Sequence, residues 1–421
     1  MDIVMKIYHK LSKFALVRYA GQIYRNGSPM ENYKAYKRLK ELNQKKKRSK
    51  RREKITVIFL VQSMSSWGKH QLLYETMKHN LNFNVHIVVI SELDNSTVSI
   101  YDELRSMYSA ENIMDAKTSD GWFDIETLHP DYVFYQKPYD DYIPSMYRSA
   151  VVSRYAKVCY FNYGFTLSEI YKIGMPKRFF RNVSLYFAET KFNKMYNTKR
   201  FSFSHKKGIR KSFYTGYPAL EDFLKQRKDY RESMGFKVIW TPRWSEDAEV
   251  GGSNFFRYKE NVEEFFRDEQ YTLVFRPHPM LFSNSIKIGK MTKDEVAKYL
   301  EQYKDNDRKI YDDKPQYAET FWQSDVLLTD FSSVVIEYFL TGKPIIYCYS
   351  PAELAFTEDM ERILDLNYVA NSWEEASKIL CDLKDGRDPK KEKREVAVNR
   401  MCKIHAKAVD RIIEKIEKDF Y

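Results

Sequence analysis

The chain is short of cysteine and glycine, lacks any long apolar run, and carries almost no acid in its first 54 residues. Its four cysteines (Cys159, Cys348, Cys381 and Cys402) are scattered with no CxxC spacing. That argues against a disulfide framework or a zinc site and leaves reduced thiols packed in cores. No stretch approaches the ~18–20 consecutive apolar residues that a membrane-crossing helix needs. Lys6, Lys10 and Lys13 interrupt any apolar h-region, so a secretory signal peptide is not expected. No GxGxxG occurs, and a dinucleotide loop is unsupported. The segment Gln62-Ser63-Met64-Ser65-Ser66-Trp67-Gly68-Lys69-His70 approaches a phosphate-binding P-loop, but a Walker motif needs Gly at 63 and Ser or Thr at 70. An NTPase is not expected on that ground.

The shortage of acid is local. Residues 1–54 hold 17 Lys/Arg against Asp2, Glu31, Glu41 and Glu53, whereas the remaining 367 residues are nearly neutral, so the formal charge of +12 belongs to a leader. On a helix, Ile3, Val4, Ile7, Tyr8, Leu11, Phe14 and Ala15 share one face, flanked by Lys6, Lys10 and Lys13. The run Lys45-Lys46-Lys47-Arg48-Ser49-Lys50-Arg51-Arg52 follows. An apolar helix face plus a polybasic cluster is a two-signal anchor for an anionic membrane surface. A solvated tail is the plain alternative, and nucleic acid is the least favoured partner.

What the chain has in quantity is core-building material: 43% hydrophobic and 16% aromatic residues over 421 positions. At roughly 100–200 residues per domain this allows two or three domains. After residue 54, short β-branched runs alternate with helical segments. ITVIFLVQ (55–62), NVHIVVI (84–90), 131–135, 157–162 and 184–188 read as strands, with a helix over 69–80. YTGYP (214–218) carries turn signals and reads as a hinge. The rhythm then restarts with VIW (238–240), TLVF (272–275), DVLL (325–328) and PIIYCY (344–349), and 389–418 reads as a charged helix. The expected fold is α/β: two doubly wound, Rossmann-type domains facing a cleft, behind a basic helical leader. The expected boundaries are 1–54, 55–215, 216–388 and a C-terminal helix at 389–421.

Ligands of such sheets bind beyond the carboxyl ends of strands, so the residues there are the candidates. After the first strand, Trp67, Lys69 and His70 are acceptor-side candidates, with an ordinary polar loop as the equal alternative. Asn162, Tyr163 and Gly164 follow another strand. In the second half, Arg243 follows VIWT, and its planar guanidinium suits a phosphate. RPHP (276–279) places Arg276 and His278 at a strand end, with Pro277 and Pro279 fixing the backbone around the imidazole. In VLLTDFSSVVIEYF (326–339), Thr329, Asp330, Ser332 and Ser333 occupy a strand-to-helix junction. Hydroxyls and free amides at a helix start favour an anion, although Asp330 and Ser332 could be simple caps. Glu337 could reach ribose hydroxyls or face solvent. Together these residues bind a nucleotide mono- or diphosphate.

TPRW (241–244), RPHP (276–279) and SDVLLTDFSSVVIEYFLTGKPIIY (324–347), in this order and spacing, resemble the CDP-glycerol glycerophosphotransferase family of teichoic-acid and capsule synthesis. The resemblance covers roughly 55–385 and implies a GT-B architecture. It implies that His278 acts at the donor phosphate, that Arg243, Ser332 and Ser333 hold the pyrophosphate, and that Asp330 orders the turn. It also implies transfer of glycerol phosphate, or a related polyol phosphate, from a CDP-linked donor to a hydroxyl of a lipid-linked glycan, with CMP released. The expected location is the cytoplasmic face of the membrane, as a peripheral protein. No carboxylate cluster points to a metal or other cofactor, and a divalent ion bridging the pyrophosphate stays open as the alternative. Polymerising members carry a Trp-His-Gly step whose place here is Asn162-Tyr163-Gly164. A tyrosine with pKa near 10 is a poor base at neutral pH, which leaves His70 or His278 to deprotonate the acceptor, or a different substrate. The rival readings are a GT-B glycosyltransferase using a CMP- or UDP-sugar, and a non-enzymatic membrane-surface protein.

Overall fold

Seven-residue apolar runs such as Ile55–Val61 cannot leave either face in water, and the chain buries every residue of that strand. The structure, a computed structural model, describes residues 29–48, 53–90, 99–108, 110–168, 175–227, 235–247, 252–314, 316–350 and 355–421. The leader helix expected over residues 3–15 lies outside them, as does the basic run at 49–52. The described part of the leader forms a helix, Pro29–Arg48.

The first sheet contains β1 (Ile55–Val61), β2 (Phe83–Val89) and β3 (Ile113–Asp115). After a small hairpin of β4 (Lys117–Thr118) and β5 (Gly121–Trp122), it continues with β6 (Tyr132–Tyr135), β7 (Lys157–Tyr160), β8 (Val183–Ala188) and β9 (Lys211–Tyr214). Its order is β3-β2-β1-β6-β7-β8-β9, with every pairing parallel. The second sheet contains β10 (Phe236–Thr241), β11 (Tyr271–Phe275), β12 (Lys309–Tyr311), β13 (Val326–Thr329), β14 (Ile345–Cys348) and β15 (Tyr368–Ala370). Its order is β12-β11-β10-β13-β14-β15, again all parallel. Both sheets reverse direction of winding beside their first strand, which is the doubly wound pattern. The α/β, two-sheet GT-B class expected from the sequence is what the chain adopts.

Two compact units result. One comprises Met1–Tyr163, Ile173–Glu221 and Lys407–Tyr421; the other comprises Gly164–Lys172 and Asp222–Ala406. The division therefore falls inside the helix Pro218–Lys225, a few residues beyond the turn at 214–218. Glu221 accepts a hydrogen bond from the Val409 amide at 2.8 Å in the first unit. Phe223 stacks on Trp322 at 5.1 Å in the second. The C-terminal stretch is two helices rather than one, Lys391–His405 and Ala408–Phe420. They separate because the second lays an apolar stripe of Val409, Ile412, Ile413 and Ile416 into the first unit. No described helix is long and apolar enough to cross a membrane.

The core of the second unit fixes where its strands end. Trp240 in β10 stacks on Phe255 at 5.7 Å and meets Phe275 of β11 at 5.1 Å. Gly235 enters β10 at φ +83°, where a Cβ would lie 2.9 Å from the Gln270 carbonyl oxygen. Only glycine fits that approach, and it sets the register Phe236↔Tyr271.

Candidate functional site

The switch point of the second sheet lies between β10 and β13, and that is where the expected nucleotide residues gather. Thr241 and Thr329 pair across the two strands, and their hydroxyls bond at 2.7 Å. One residue later, Asp330 is 2% exposed and accepts the Arg243 amide at 2.7 Å and the Asn254 amide at 2.9 Å. It thus ties together the ends of β10 and β13 and the segment leading into helix Phe255–Phe265. Burial pushes its carboxyl up to about 7, against the pull of those two amides and of Arg243. Asp330 acts as the clamp beneath the site, in keeping with the ordering role that the resemblance implies.

Arg243 rests on that clamp. Its guanidinium lies 4.8 Å from the Phe331 ring centroid and donates to the Phe331 carbonyl at 3.0 Å. The fork is thereby held at the strand edge by a cation–π contact and a backbone oxygen.

His278 sits on the neighbouring loop, whose path is set by two backbone bonds: the Arg276 amide to Trp240 at 2.9 Å and the His278 amide to Pro242 at 3.0 Å. Its Nδ1 accepts the Met280 amide at 3.1 Å. Desolvation of the ring and the nearby Arg243 charge lower its pKa to about 4. The imidazole is therefore neutral at pH 7, and with Nδ1 accepting, the proton is assigned to Nε2. An exposed Nε2–H beside an arginine is a hydrogen-bond donor for an anion.

Arg276 is placed differently from the expectation of a free phosphate ligand. Its guanidinium pairs with Asp312 at 2.9 Å, donates to the Lys314 carbonyl at 2.7 Å, and lies 5.2 Å from the Tyr317 ring centroid. These contacts fasten the loop after β12 to β11. Glu337 is buried and accepts from the Tyr317 hydroxyl at 3.2 Å, so the solvent-facing alternative does not hold. Ser332 and Ser333 precede a helix that begins only at Val335 and runs five residues. They occupy a turn closed by Val335 N–H to Ser332 and Ile336 N–H to Ser333, both at 3.4 Å. The sequence suggests an earlier start because Asp330 and Ser332 both look like caps; Asp330 instead clamps the two loops. Ser333 is exposed and Ser332 partly so, which leaves their hydroxyls at the edge.

In the first unit the strand ends are inward-facing. Trp67 is 1% exposed and packs against Phe59 and Tyr74, its Nε1 donating to the Tyr108 hydroxyl at 3.4 Å. His70 is also 1% exposed, stacked on Phe161 at 4.2 Å, with Nδ1 at 3.3 Å from the Ser66 carbonyl. Burial lowers its pKa to about 4. Both were expected on the acceptor side; both are core residues, and His70 has no surface from which to deprotonate an acceptor. Lys69 is half-buried in the turn between them. Asn162 donates to Glu189 at 2.9 Å and accepts from Tyr186 at 3.3 Å. The hydroxyls of Tyr163 and Tyr139 lie 2.9 Å apart. Gly164 has open space where a Cβ would stand, so nothing local demands glycine there.

Sequence reasoning missed Asn254, Asp312, Tyr139 and Glu189. Asp312 and Glu189 obey the strand-end rule. Asp312 was missed because β12 is only three residues long and has no fully buried position. Asn254 leaves no signal in the sequence, since its amide reaches Asp330 from 76 positions away.

Comparison with solved structures returns the same two-sheet fold. A histidine-to-asparagine variant of the wall teichoic acid polymerase TagF is 14% identical, with 97% of this chain and 98% of that one covered at a TM-score of 0.60. TagF soaked with CDPG is 13% identical, with 97% and 98% covered at 0.54. The UDP-GlcNAc 2-epimerase from Neisseria meningitidis, bound to UDP-GlcNAc, is 12% identical, with 86% and 100% covered at 0.58. At these identities the likeness is one of fold. Comparison with curated protein sequences gives no match. The family described as CDP-Glycerol:Poly(glycerophosphate) glycerophosphotransferase matches residues 179–418, a span that contains Arg243, His278, Asp330 and the Ser332–Ser333 turn. The chain belongs to that family and is a transferase of the glycerophosphotransferase type.

Proposed function

We propose that this transferase moves glycerol phosphate, or a related polyol phosphate, from a CDP-linked donor to a hydroxyl of a lipid-linked glycan. The observation that carries the reading is the paired edge: the neutral, exposed His278 beside Arg243 held on Phe331. The acceptor oxygen forms a bond to the donor's β-phosphorus as the bond from that phosphorus to the CMP oxygen breaks. The proton of the acceptor hydroxyl passes to water, and CMP leaves with the bonding electrons. Charge grows on the leaving phosphate, where Arg243 and the Ser332–Ser333 turn stabilise it, and His278 donates to a phosphoryl oxygen. In a loose phosphoryl-transfer transition state the nucleophile is little bonded, so a strong base is not demanded. That accommodates a tyrosine at 163, a buried His70 and a His278 that serves as a donor.

The acceptor and the address are part of the same reading. The basic leader, with its apolar face at residues 3–15 and the basic run at 45–52, supports a peripheral position on the cytoplasmic face of an anionic membrane, where a lipid-linked glycan would lie. The deciding experiment incubates the protein with CDP-glycerol, CDP-ribitol, CMP-sugars and UDP-sugars in the presence of a lipid-linked acceptor, and follows the nucleotide released. CMP from a CDP-polyol is expected. Turnover of a nucleotide sugar alone would replace this reading with the glycosyltransferase one.

A further inference from the structure

At the amino edge of the first sheet, opposite the edge that carries Asn162 and Tyr163, lies a cavity of about 760 Å³. Its floor is formed where strands begin, at Tyr132, Lys157 and Lys211, and its walls include helix Pro29–Arg48 and the end of helix Ala408–Phe420. Seven Lys and Arg side chains line it against three carboxylates.

Two of the three carboxylates, Asp131 and Asp419, are already engaged. Lys46 pairs with Asp131 at 2.7 Å, and Asp131 also accepts the Thr56 amide at 3.0 Å. Lys157 and Lys211 reach Asp419 at 2.5 and 2.6 Å, and the Tyr132 hydroxyl donates to it at 2.9 Å. Burial would raise the Asp419 carboxyl, but the two lysines outweigh it and hold it below its ordinary value. Lys40, Lys45, Arg154 and Lys207 make no ion pair among the described residues. The surplus also acts on its surroundings: burial and the charges of Arg154 and Arg181 lower the pKa of Arg38.

Uncompensated charge inside a concavity repels itself and focuses the field on whatever enters. The volume falls within the ~300–1,000 Å³ of ligand sites. A single phosphate would leave at least half of the net surplus unmet, and a flat bilayer would not reach Lys157, whose side chain is 13% exposed. A flexible chain carrying several phosphates meets both conditions.

We propose that this cavity binds a phosphodiester oligomer, the growing polymer of a polyol-phosphate transferase, in a second site on the first unit. The inference rests on the proposed function for the ligand's identity. Holding the chain here keeps it attached between transfers.

The test uses the full chain and a fluorescently labelled synthetic glycerol-phosphate oligomer, with anisotropy read over a range of salt. The double variant Lys45→Glu, Lys207→Glu alters two exposed side chains and should melt as the parent does. Its oligomer affinity should fall at least about tenfold and its salt slope by about two. Arg243→Ala should leave oligomer binding unchanged. Unchanged affinity in the double variant, or a loss seen only with phosphatidylglycerol vesicles, would overturn the proposal. CDP-glycerol turnover is measured separately, so a protein that binds the oligomer through these lysines but releases no CMP sinks the function and spares the cavity.

Discussion

At the carboxyl edge of the first sheet the polar side chains bond one another: Asn162 to Glu189, Tyr163 to Tyr139, Trp67 to Tyr108. At the same edge of the second sheet, three of them meet backbone atoms or a ring. Asp330 clamps two amides, Arg243 lies on Phe331, and His278 accepts Met280 through Nδ1. The topology is shared, so the winding of the sheet does not decide how the polar groups at an edge are satisfied. What differs is cover: neighbouring rings close over Trp67 and His70, whereas His278 stays exposed with its partner in the backbone.

The largest effect expected from this contrast is on stability, in the first unit. Trp67→Ala empties a fully buried site among Phe59, Tyr74 and Tyr108, and such truncations cost about 3–5 kcal/mol. Urea denaturation should show that loss, while the acceptor KM of the protein that remains folded stays at the parent value. A raised KM with parent stability would make this edge a binding surface and break the comparison.

Next comes His278→Ala, which should lower kcat by about 10²–10³, the range for losing one preorganised donor, with stability little changed. Because the ring is neutral above about 4, the parent kcat should show no limb near pH 6.5 that disappears in the variant. His278→Gln, which can restore an N–H, should recover part of the rate.

The contrast also marks what could be read before folding. Continuous apolar runs such as Ile55–Val61 and Ile345–Cys348 are recognisable because both faces of a parallel strand are buried. The strand β9, Lys211–Tyr214, escapes because it closes the sheet half-buried and mixes polar with aromatic residues. Arg243, His278 and Asp330 were legible because a strand end with prolines or serines limits what the backbone can do. The burial of His70 was not, because the ring that covers it, Phe161, lies 91 positions away, at the end of a different strand.

A smaller effect is expected from the clamp itself. The folded-state pKa of Asp330, about 7, lies above the ordinary carboxyl value near 4. The folded state therefore holds a proton that the unfolded state has released between those values. The stability this contributes is fully present below about pH 4 and is lost as pH rises through about 7. Asp330→Asn does not titrate and places an amide donor against one of the two backbone N–H groups. The variant should be the less stable of the two at low pH, and the gap in Tm should narrow from pH 4 to 8. A gap that widens instead would mean the carboxylate is ionised throughout, with the amides of Arg243 and Asn254 outweighing burial.

The smallest effect falls on Tyr163, where the two edges differ most in chemistry. Tyr163→Phe removes one hydroxyl from a pair 2.9 Å apart and leaves the ring against Tyr139. A neutral hydrogen bond contributes about 0.5–1.5 kcal/mol, so kcat should fall by no more than about tenfold, and the shape of its pH profile should stay as it was. A base would behave otherwise, because its loss removes the limb of the profile that reports its own titration. If Tyr163→Phe costs as much as His278→Ala and abolishes a basic limb, the first edge takes part in proton transfer.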